Sequence, residues 1–244
     1  MSSRLDLTNV PRGHHLRYVD DVAVLILNDT ENRFNLNSIG AIEKCMDEVE
    51  RNESTKALIF TGIGKFFSNG IDLNWVSTQH PPVVRQYFMA LKSFIIRVAT
   101  FPVPTVAAIN GHAFAAGALL PLVCDFRVMH SGKGWFSLPE IHIKLPFTPF
   151  FSEIIELKSP NPQVIRDMVL WGTRYTPDEA LKASLLDAVV PTQDLVPFSC
   201  DLAKRSLGKN GIDRSMMATM KNDLYGNRLR SKNILRDEIG TSKL

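Results

Sequence analysis

The 244-residue sequence contains only three cysteines, Cys45, Cys124 and Cys200, and they lie far apart. This spacing fits neither a disulfide framework nor a metal site, so we expect an intracellular protein whose thiols at Cys45 and Cys124 are buried. The chain also lacks any apolar run of the ~20 residues that a membrane span requires. Residues 1–17 have no apolar core of the kind that a signal peptide carries. We therefore predict neither a membrane span nor a secretory leader.

Strong charge of one sign is missing as well. The net charge is only +3, and no basic stripe is interleaved with aromatic residues. These features argue against a nucleic-acid partner. The hydrophobic content of 45% and the charged content of 22% are typical of a soluble globular protein. The length permits one large domain, or one domain with an appendage.

The most informative stretch runs from residue 104 to residue 140. It opens with the strand-length apolar run 105–109, which is bounded by Pro104 and the turn pair Asn110-Gly111. Small residues then lead into the helix-length apolar run 119–124. Small side chains allow close approach to the backbone, and the first N–H groups of a helix have no internal partners, so such a unit can hold an oxyanion or a polarised carbonyl. Taken alone, the stretch is equally compatible with an ordinary buried strand and helix.

A single carboxylate closes this stretch. Glu140 ends the segment Phe-Ser-Leu-Pro-Glu that begins at residue 136, and its neighbours are mostly apolar. Backbone donors that stabilise negative charge, together with one carboxylate that moves a proton, are sufficient for enolate chemistry. The alternative is that Glu140 merely faces solvent.

Strands and helices alternate up to about residue 145. Short apolar runs predict buried strands at 22–27, 57–61 and 105–109, and a further apolar segment lies at 126–129. Helical spacing predicts helices over 39–51 with Ser38 as the cap, 83–101, 177–186 with a capping box at Thr176, 193–207 and 214–235. No strand is predicted beyond about residue 149. A unit of strand, turn and helix recurs at Val22, Ala57 and Thr105, which indicates stacked ββα turns.

Three motifs follow one another along the chain. The first is Lys-Phe-Phe-Ser-Asn-Gly-Ile-Asp-Leu at 65–73. The second is Pro-Thr-Val-Ala-Ala-Ile-Asn-Gly-His-Ala at 104–113, with Ala116-Gly117 and Cys124-Asp125. The third is Phe-Ser-Leu-Pro-Glu-Ile at 136–141. In order and spacing these motifs resemble the signatures of the crotonase family, also called the enoyl-CoA hydratase/isomerase family. Residues 176–190 resemble the helix that follows the family's core, so the likeness extends over about 22–191.

This resemblance implies an α/β fold. Its core would be a spiral of ββα repeats over residues 1–190, followed by a C-terminal helical trimerisation region over 191–244. It also implies an acyl-CoA thioester as the substrate and a homotrimer or hexamer as the assembly. No separate cofactor is expected, because coenzyme A is part of the substrate.

The resemblance also assigns site residues. The two backbone N–H groups that grip the thioester oxygen would belong to Asn69 and Ala116, and Glu140 would be the catalytic residue. His112 and His142 are possible assistants, although a histidine in such a place is more often structural; on a strand, His142 would share a face with Glu140. The expected substrate-binding residues are Ser68, Asn69, Gly70, Ile71, Asp72, Leu73, Ala116 and Pro139.

The number of glutamates indicates the reaction. Hydratases of the family carry two, one of them a turn into the central helix, where a gapless alignment places Leu119. The retained Glu140 alone resembles the pattern of the Δ3,Δ2-enoyl-CoA isomerases. Alternatives are hydration with unusual residues, thioester hydrolysis, dienoyl-CoA isomerisation, or a catalytically idle acyl-CoA-binding subunit. Alanine at Ala115 and Ala116 and the proline at Pro121 depart from the common family pattern.

The chain ends in Ser242-Lys243-Leu244, the tripeptide read as a peroxisomal address. A match of three residues arises by chance elsewhere in sequences, but here it stands at the C-terminus, where such a signal is read. We therefore expect recognition by the peroxisomal import receptor and a peroxisomal location.

Overall fold

The computed structural model of the chain describes residues 5–159, 161–209, 211 and 213–235. The C-terminal tripeptide lies outside the described residues. The strands of the fold are β1 (Gly13–Val19), β2 (Val22–Asn28), β3 (Ala57–Gly62), β4 (Phe66–Ser68), β5 (Thr105–Ile109), β6 (His112–Phe114), β7 (Phe126–His130), β8 (Phe136–Ser137) and β9 (Ala188–Val190).

The larger sheet has the strand order β1-β2-β3-β5-β7-β9. All its pairings are parallel except that of β1 with β2, and Val24 pairs with Ile59 in its centre. Every residue of β3 and β5 is buried. Continuous apolar runs form such strands because elements cover both faces of a parallel sheet. The three strands predicted from these runs are therefore confirmed, and the apolar segment at 126–129 forms most of β7.

The smaller sheet contains β4, β6 and β8, and all its pairings are parallel. These strands directly follow β3, β5 and β7 of the larger sheet. Each turn of the chain thus contributes one strand to each sheet before a helix follows. This arrangement confirms the predicted stacking of ββα units.

Helices form in the regions where periodicity predicts them, with shifted ends, and further helices that were not predicted begin at Leu73 and Pro149. The helices are α1 (Leu36–Arg51), α2 (Leu73–Ser77), α3 (Pro81–Ala99), α4 (Ala116–Val123), α5 (Pro149–Lys158), α6 (Pro162–Leu170), α7 (Pro177–Lys182), α8 (Leu195–Ser206), α9 (Arg214–Lys221) and α10 (Asn227–Arg230). Asn35 caps α1, and Ser38 completes the capping box instead of being the cap itself. The capping box at Thr176 is present, but its helix ends at Lys182.

The strands β1 and β9 of the larger sheet were not predicted, and neither were the three short strands of the smaller sheet. The strand β1 lies half-exposed at the sheet edge, and only Leu16 and Val19 are aliphatic among its histidines, arginine and tyrosine, so its apolar pattern is weak. In β9, only three residues pair with β7, and so short a run resembles the end of a helix. The expectation that no strand lies beyond residue 149 is therefore wrong.

The C-terminal segment is fastened to the body of its own chain. The Lys221 ammonium donates to the Asp125 carboxylate at 2.5 Å and to the carbonyl oxygens of Phe101 and Val103. A π-helix (Asn222–Gly226) links α9 to α10, where the predicted helix would be regular. Leu229 and Ile234 belong to the same apolar cluster as the central helices. The division at residue 190 stays a prediction, although it coincides with the end of β9.

In the described part of the chain, no helix is both long and apolar enough to cross a membrane. The three cysteines are free thiols; Cys124 and Cys200 are buried, and Cys45 is half-buried. The expected burial is therefore confirmed for Cys124 and wrong for Cys45.

Candidate active site

The three motifs of the sequence meet at one edge of the smaller sheet. The strands β4, β6 and β8 are parallel, so their carboxyl ends lie side by side. They lead into residues 69–73, the start of α4 and the segment that carries Glu140. The backbone N–H of Ala115 donates to the carbonyl oxygen of Ser137 at 3.1 Å, which joins the second motif to the third.

The start of α4 offers free backbone donors. Ala116 is the first residue of the helix, so its N–H has no intrahelical acceptor. Ala115 before it has φ 53° and ψ −131°, a conformation that alanine rarely adopts. A Cβ atom on Gly117 would collide with the Ser68 carbonyl, so only glycine allows the 65–73 loop to lie this close to the helix. The predicted donor at Ala116 is thus available.

The other predicted donor, Asn69, is not available. Its backbone N–H donates to the Glu31 carbonyl oxygen at 2.9 Å. Its side-chain amide donates to the Glu31 carboxylate at 3.0 Å. An N–H group engaged in this way cannot also face a thioester oxygen. The assignment of Asn69 as a backbone donor was therefore wrong.

The amide N–H of Ile71, two residues further along, is free of hydrogen bonds to the described residues. The carbonyl oxygen of Gly70 before it accepts the Phe34 N–H, and Asp72 after it donates its N–H to the Phe34 carbonyl oxygen. The Ile71 N–H makes no hydrogen bond to any described residue. A Cβ atom on Gly70 would lie 2.9 Å from the Ala116 nitrogen, so this peptide approaches the start of α4 closely. The signal in the sequence was Gly70 itself, whose φ of 76° turns the loop.

The remaining residues of the loop differ in their accessibility. Ser68 is fully buried, and its hydroxyl donates to the Asn32 carbonyl oxygen at 2.6 Å. The Asp72 carboxylate caps α2 by accepting the Trp75 N–H at 3.1 Å. These contacts give both side chains a structural role, and substrate binding along this segment stays a prediction. Leu73 is 37% exposed.

Glu140 lies buried at the start of a 3-10 helix (Glu140–Ile143), directly after the half-buried Pro139. It is only 6% exposed, and its Oε2 atom has no hydrogen-bond partner among the described residues. Burial raises the pKa of Glu140 to about 7, against the opposing effect of its own backbone N–H. The solvent-facing alternative is thereby excluded. A carboxyl with such a pKa takes up and releases protons near neutral pH.

The neighbouring candidates have other surroundings. Leu119 is 1% exposed in the apolar core, in the first turns of α4. His112 accepts the Trp135 N–H through its Nδ1 atom at 3.1 Å, and its ring stacks on Phe114, which is a structural environment. His142 is exposed and lies on the 3-10 helix, so the expectation that it shares a strand face with Glu140 is wrong.

Comparisons with known proteins show the family to which the chain is similar. The family described as enoyl-CoA hydratase/isomerase matches residues 19–235. The Arabidopsis thaliana protein named enoyl-CoA delta isomerase 3 is 28% identical, over 92% of this chain and 97% of the relative. Enoyl-CoA delta isomerase 2, peroxisomal, of the same plant is 32% identical, over 84% and 89% respectively.

A solved structure shows the same fold. The human mitochondrial delta3-delta2-enoyl-CoA isomerase superposes with a TM-score of 0.82 at 20% identity, over 90% of this chain and 85% of that one. At this identity the likeness concerns the fold alone. The family match extends over most of the chain, from β1 to beyond α10. The chain therefore belongs to the enoyl-CoA hydratase/isomerase family, the crotonases, and has their spiral ββα fold.

Proposed function

We propose that this protein is a Δ3,Δ2-enoyl-CoA isomerase, which converts a 3-enoyl-CoA to the 2-trans-enoyl-CoA. The observation that carries the proposal is one buried carboxyl, Glu140, whose pKa is raised to about 7, in a site where the apolar Leu119 occupies the place of a second carboxylate. Hydration requires a water oriented by two carboxylates, and Leu119 cannot hydrogen-bond to one. Moving a double bond requires only one base.

The chemistry proceeds through a thioester enolate. Ionised Glu140 removes a proton from C2 of the substrate, and the negative charge that develops moves to the thioester oxygen. The N–H groups of Ile71 and Ala116 stabilise this charge, assisted by the N-terminal dipole of α4. The protonated Glu140 then returns the proton at C4, which leaves the double bond between C2 and C3.

The proposed reaction also implies a path for the substrate and a metabolic role. The acyl-CoA passes along Gly70, Ile71 and Leu73, and Pro139 helps to fix the direction of Glu140. Coenzyme A enters as part of the substrate, with no separate cofactor. This isomerisation serves the β-oxidation of unsaturated fatty acids.

The location and the assembly are separate parts of the proposal. The tripeptide Ser242-Lys243-Leu244 would engage the import receptor and direct the chain to peroxisomes. One similar plant protein carries the word peroxisomal in its name, which supports this location. The assembly would be a homotrimer or a hexamer of this chain.

Two substrates test the proposed reaction. The purified protein is incubated separately with 3-hexenoyl-CoA and with 2-hexenoyl-CoA, and the products are separated by chromatography. We expect the 2-trans isomer from the first and no 3-hydroxyacyl-CoA from the second. Three other results would contradict the proposal. Formation of 3-hydroxyacyl-CoA as the main product would favour a hydratase, and release of free CoA would favour a thioester hydrolase. No turnover of either substrate would favour an idle binding subunit.

A further inference from the structure

A buried tyrosine contacts the segment that holds the Ile71 peptide. Tyr87 of α3 has no exposed surface, and its hydroxyl donates to the Phe34 carbonyl oxygen at 3.0 Å. Its ring packs edge-on against Trp75 of α2, with 5.4 Å between the ring centroids. Burial and the nearby Asp72 carboxylate raise the pKa of Tyr87, so the phenol stays protonated and acts as a donor.

Phe34 is the backbone link between Tyr87 and Ile71. Its N–H donates to the Gly70 carbonyl oxygen at 2.7 Å, and its carbonyl oxygen accepts the Asp72 N–H at 2.9 Å. The two residues Phe34 and Ile71 therefore form a parallel β-bridge. With the Tyr87 hydroxyl, the Phe34 carbonyl oxygen accepts two hydrogen bonds, which occupies both of its lone pairs.

This link controls the direction of the Ile71 N–H. The Gly70 carbonyl and the Ile71 N–H belong to one planar trans peptide and point in opposite directions. Holding the Gly70 oxygen on Phe34 therefore aims the Ile71 N–H away from Phe34. A hydrogen bond to an amide oxygen also polarises the N–H on the same amide, which makes Ile71 a stronger donor.

Small displacements matter at such a donor. An oxyanion site works only when its donors are held within about 0.5 Å of their productive positions. The 69–72 loop is irregular backbone, and its position depends on contacts with the 31–35 segment, which Tyr87 anchors to the long helix α3. A loose Phe34 would allow the Ile71 N–H to drift.

We propose that Tyr87 is a positioning residue of the oxyanion hole, which acts through Phe34 on the N–H of Ile71. The proposal rests on the isomerase function proposed above. Tyr87 does not contact the substrate; its hydroxyl fixes the Phe34 carbonyl, and the N–H of the same residue holds the Gly70 oxygen of the donor peptide.

The test uses Tyr87→Phe, which removes the hydroxyl and keeps the ring. The Phe34 carbonyl oxygen retains the Asp72 N–H, so no buried group is left unpaired. We expect kcat for 3-hexenoyl-CoA to fall about two- to tenfold, the effect of one net hydrogen bond, with KM within about twofold of the wild type. Tyr225→Phe is the matched control, because Tyr225 lies in the C-terminal π-helix, where its ring centroid is 4.2 Å from the Lys158 ammonium. This control should leave kcat unchanged.

A spectroscopic readout separates positioning from general loss of stability. Hexanoyl-CoA labelled with ¹³C at the thioester carbonyl cannot be isomerised, and hydrogen bonds lower the infrared stretching frequency of its carbonyl. On binding to the wild type and to Tyr225→Phe we expect a marked downshift, and on binding to Tyr87→Phe a smaller one. A downshift in Tyr87→Phe equal to that of the wild type would overturn the positioning role, whatever happens to its melting temperature. A wild type that fails to isomerise 3-hexenoyl-CoA would instead overturn the proposed function.

Discussion

The backbone N–H of Asn69 donates to the carbonyl oxygen of Glu31 at 2.9 Å, which commits this amide to the fold. The Ile71 N–H, two residues further along, makes no bond to any described residue and belongs to a peptide that approaches Ala116. Asn69 and Ile71 therefore differ in whether the backbone N–H is free, and the sequence motif alone does not show this difference.

Replacing single amides by esters tests this distinction. An α-hydroxy acid in place of Ile71 removes one N–H and keeps the side chain. We expect kcat to fall about 10²–10³-fold, as for the loss of one oxyanion-hole donor.

The same replacement at Asn69 is the matched control. It removes only the bond to Glu31, so we expect a smaller loss of activity together with some loss of stability. A larger fall in kcat from the ester at Asn69 than from the ester at Ile71 would restore the original assignment.

Ala115 stores backbone strain directly before the other donor. Its φ of 53° with ψ −131° is a conformation that glycine adopts freely. We expect Ala115→Gly to stabilise the fold by about 1 kcal/mol, since relief of strain outweighs the added flexibility of the unfolded chain. The same change at Ala118, which has a regular helical environment, should destabilise by at least about 1 kcal/mol. Chemical denaturation measures both, and a destabilised Ala115→Gly would show that the strain is absent.

The pH dependence of activity follows from the pKa of Glu140. A base must be ionised, and burial raises this pKa to about 7. We expect kcat/KM, which reports the free enzyme, to rise as the pH passes through about 7 and to level off above it. A profile that is flat between about pH 5.5 and 8.5 would mean that a different group carries the proton.

Stability should show the opposite trend with pH. The folded pKa of about 7 lies above the unfolded value, so the folded state binds more protons between the two values, and the free energy of unfolding falls as the pH rises. Glu140→Gln removes this penalty. Above pH 7 the variant should be more stable than the wild type, by at most about 3 kcal/mol. Urea denaturation at low and at neutral pH checks the prediction, with the exposed Glu156→Gln as the control; equal stabilities at neutral pH would contradict it.

Leu119 should set the type of reaction. Leu119→Glu introduces a second carboxylate in α4, and we expect some hydration of 2-hexenoyl-CoA to appear. Because Leu119 is 1% exposed, the buried charge should also destabilise the fold by several kcal/mol. Leu119→Met, a swap of similar volume, should retain stability and isomerase activity. A folded Leu119→Glu protein without hydratase activity would show that more than a carboxylate is missing.

The sequence predicted the parts of the fold that depend on local pattern. The buried strands at Ala57 and Thr105 have continuous apolar runs, and the capping box at Thr176 marks the start of the next helix. The prediction failed where hydrogen bonding between strands decides the structure. The edge strand β1 and the three-residue β9 are strands only because neighbouring strands supply hydrogen bonds.

The candidate site was predictable to the same degree. Glu140 stood out as a lone carboxylate among apolar residues, and Ala116 as the start of a helix. The choice between Asn69 and Ile71 depends on which amide Glu31 occupies, a contact between residues far apart in the sequence. The role of Tyr87 likewise depends on its contact with Phe34, which no motif records.

The most direct test of the account is the turnover of Glu140→Gln. This change keeps the size of the side chain and removes its basicity, while the N–H groups of Ile71 and Ala116 remain. With 3-hexenoyl-CoA as the substrate, we expect kcat to fall roughly 10²–10⁴-fold and the affinity for acyl-CoA to stay close to that of the wild type. A variant that keeps isomerase turnover within about tenfold of the wild type would contradict the single-glutamate mechanism.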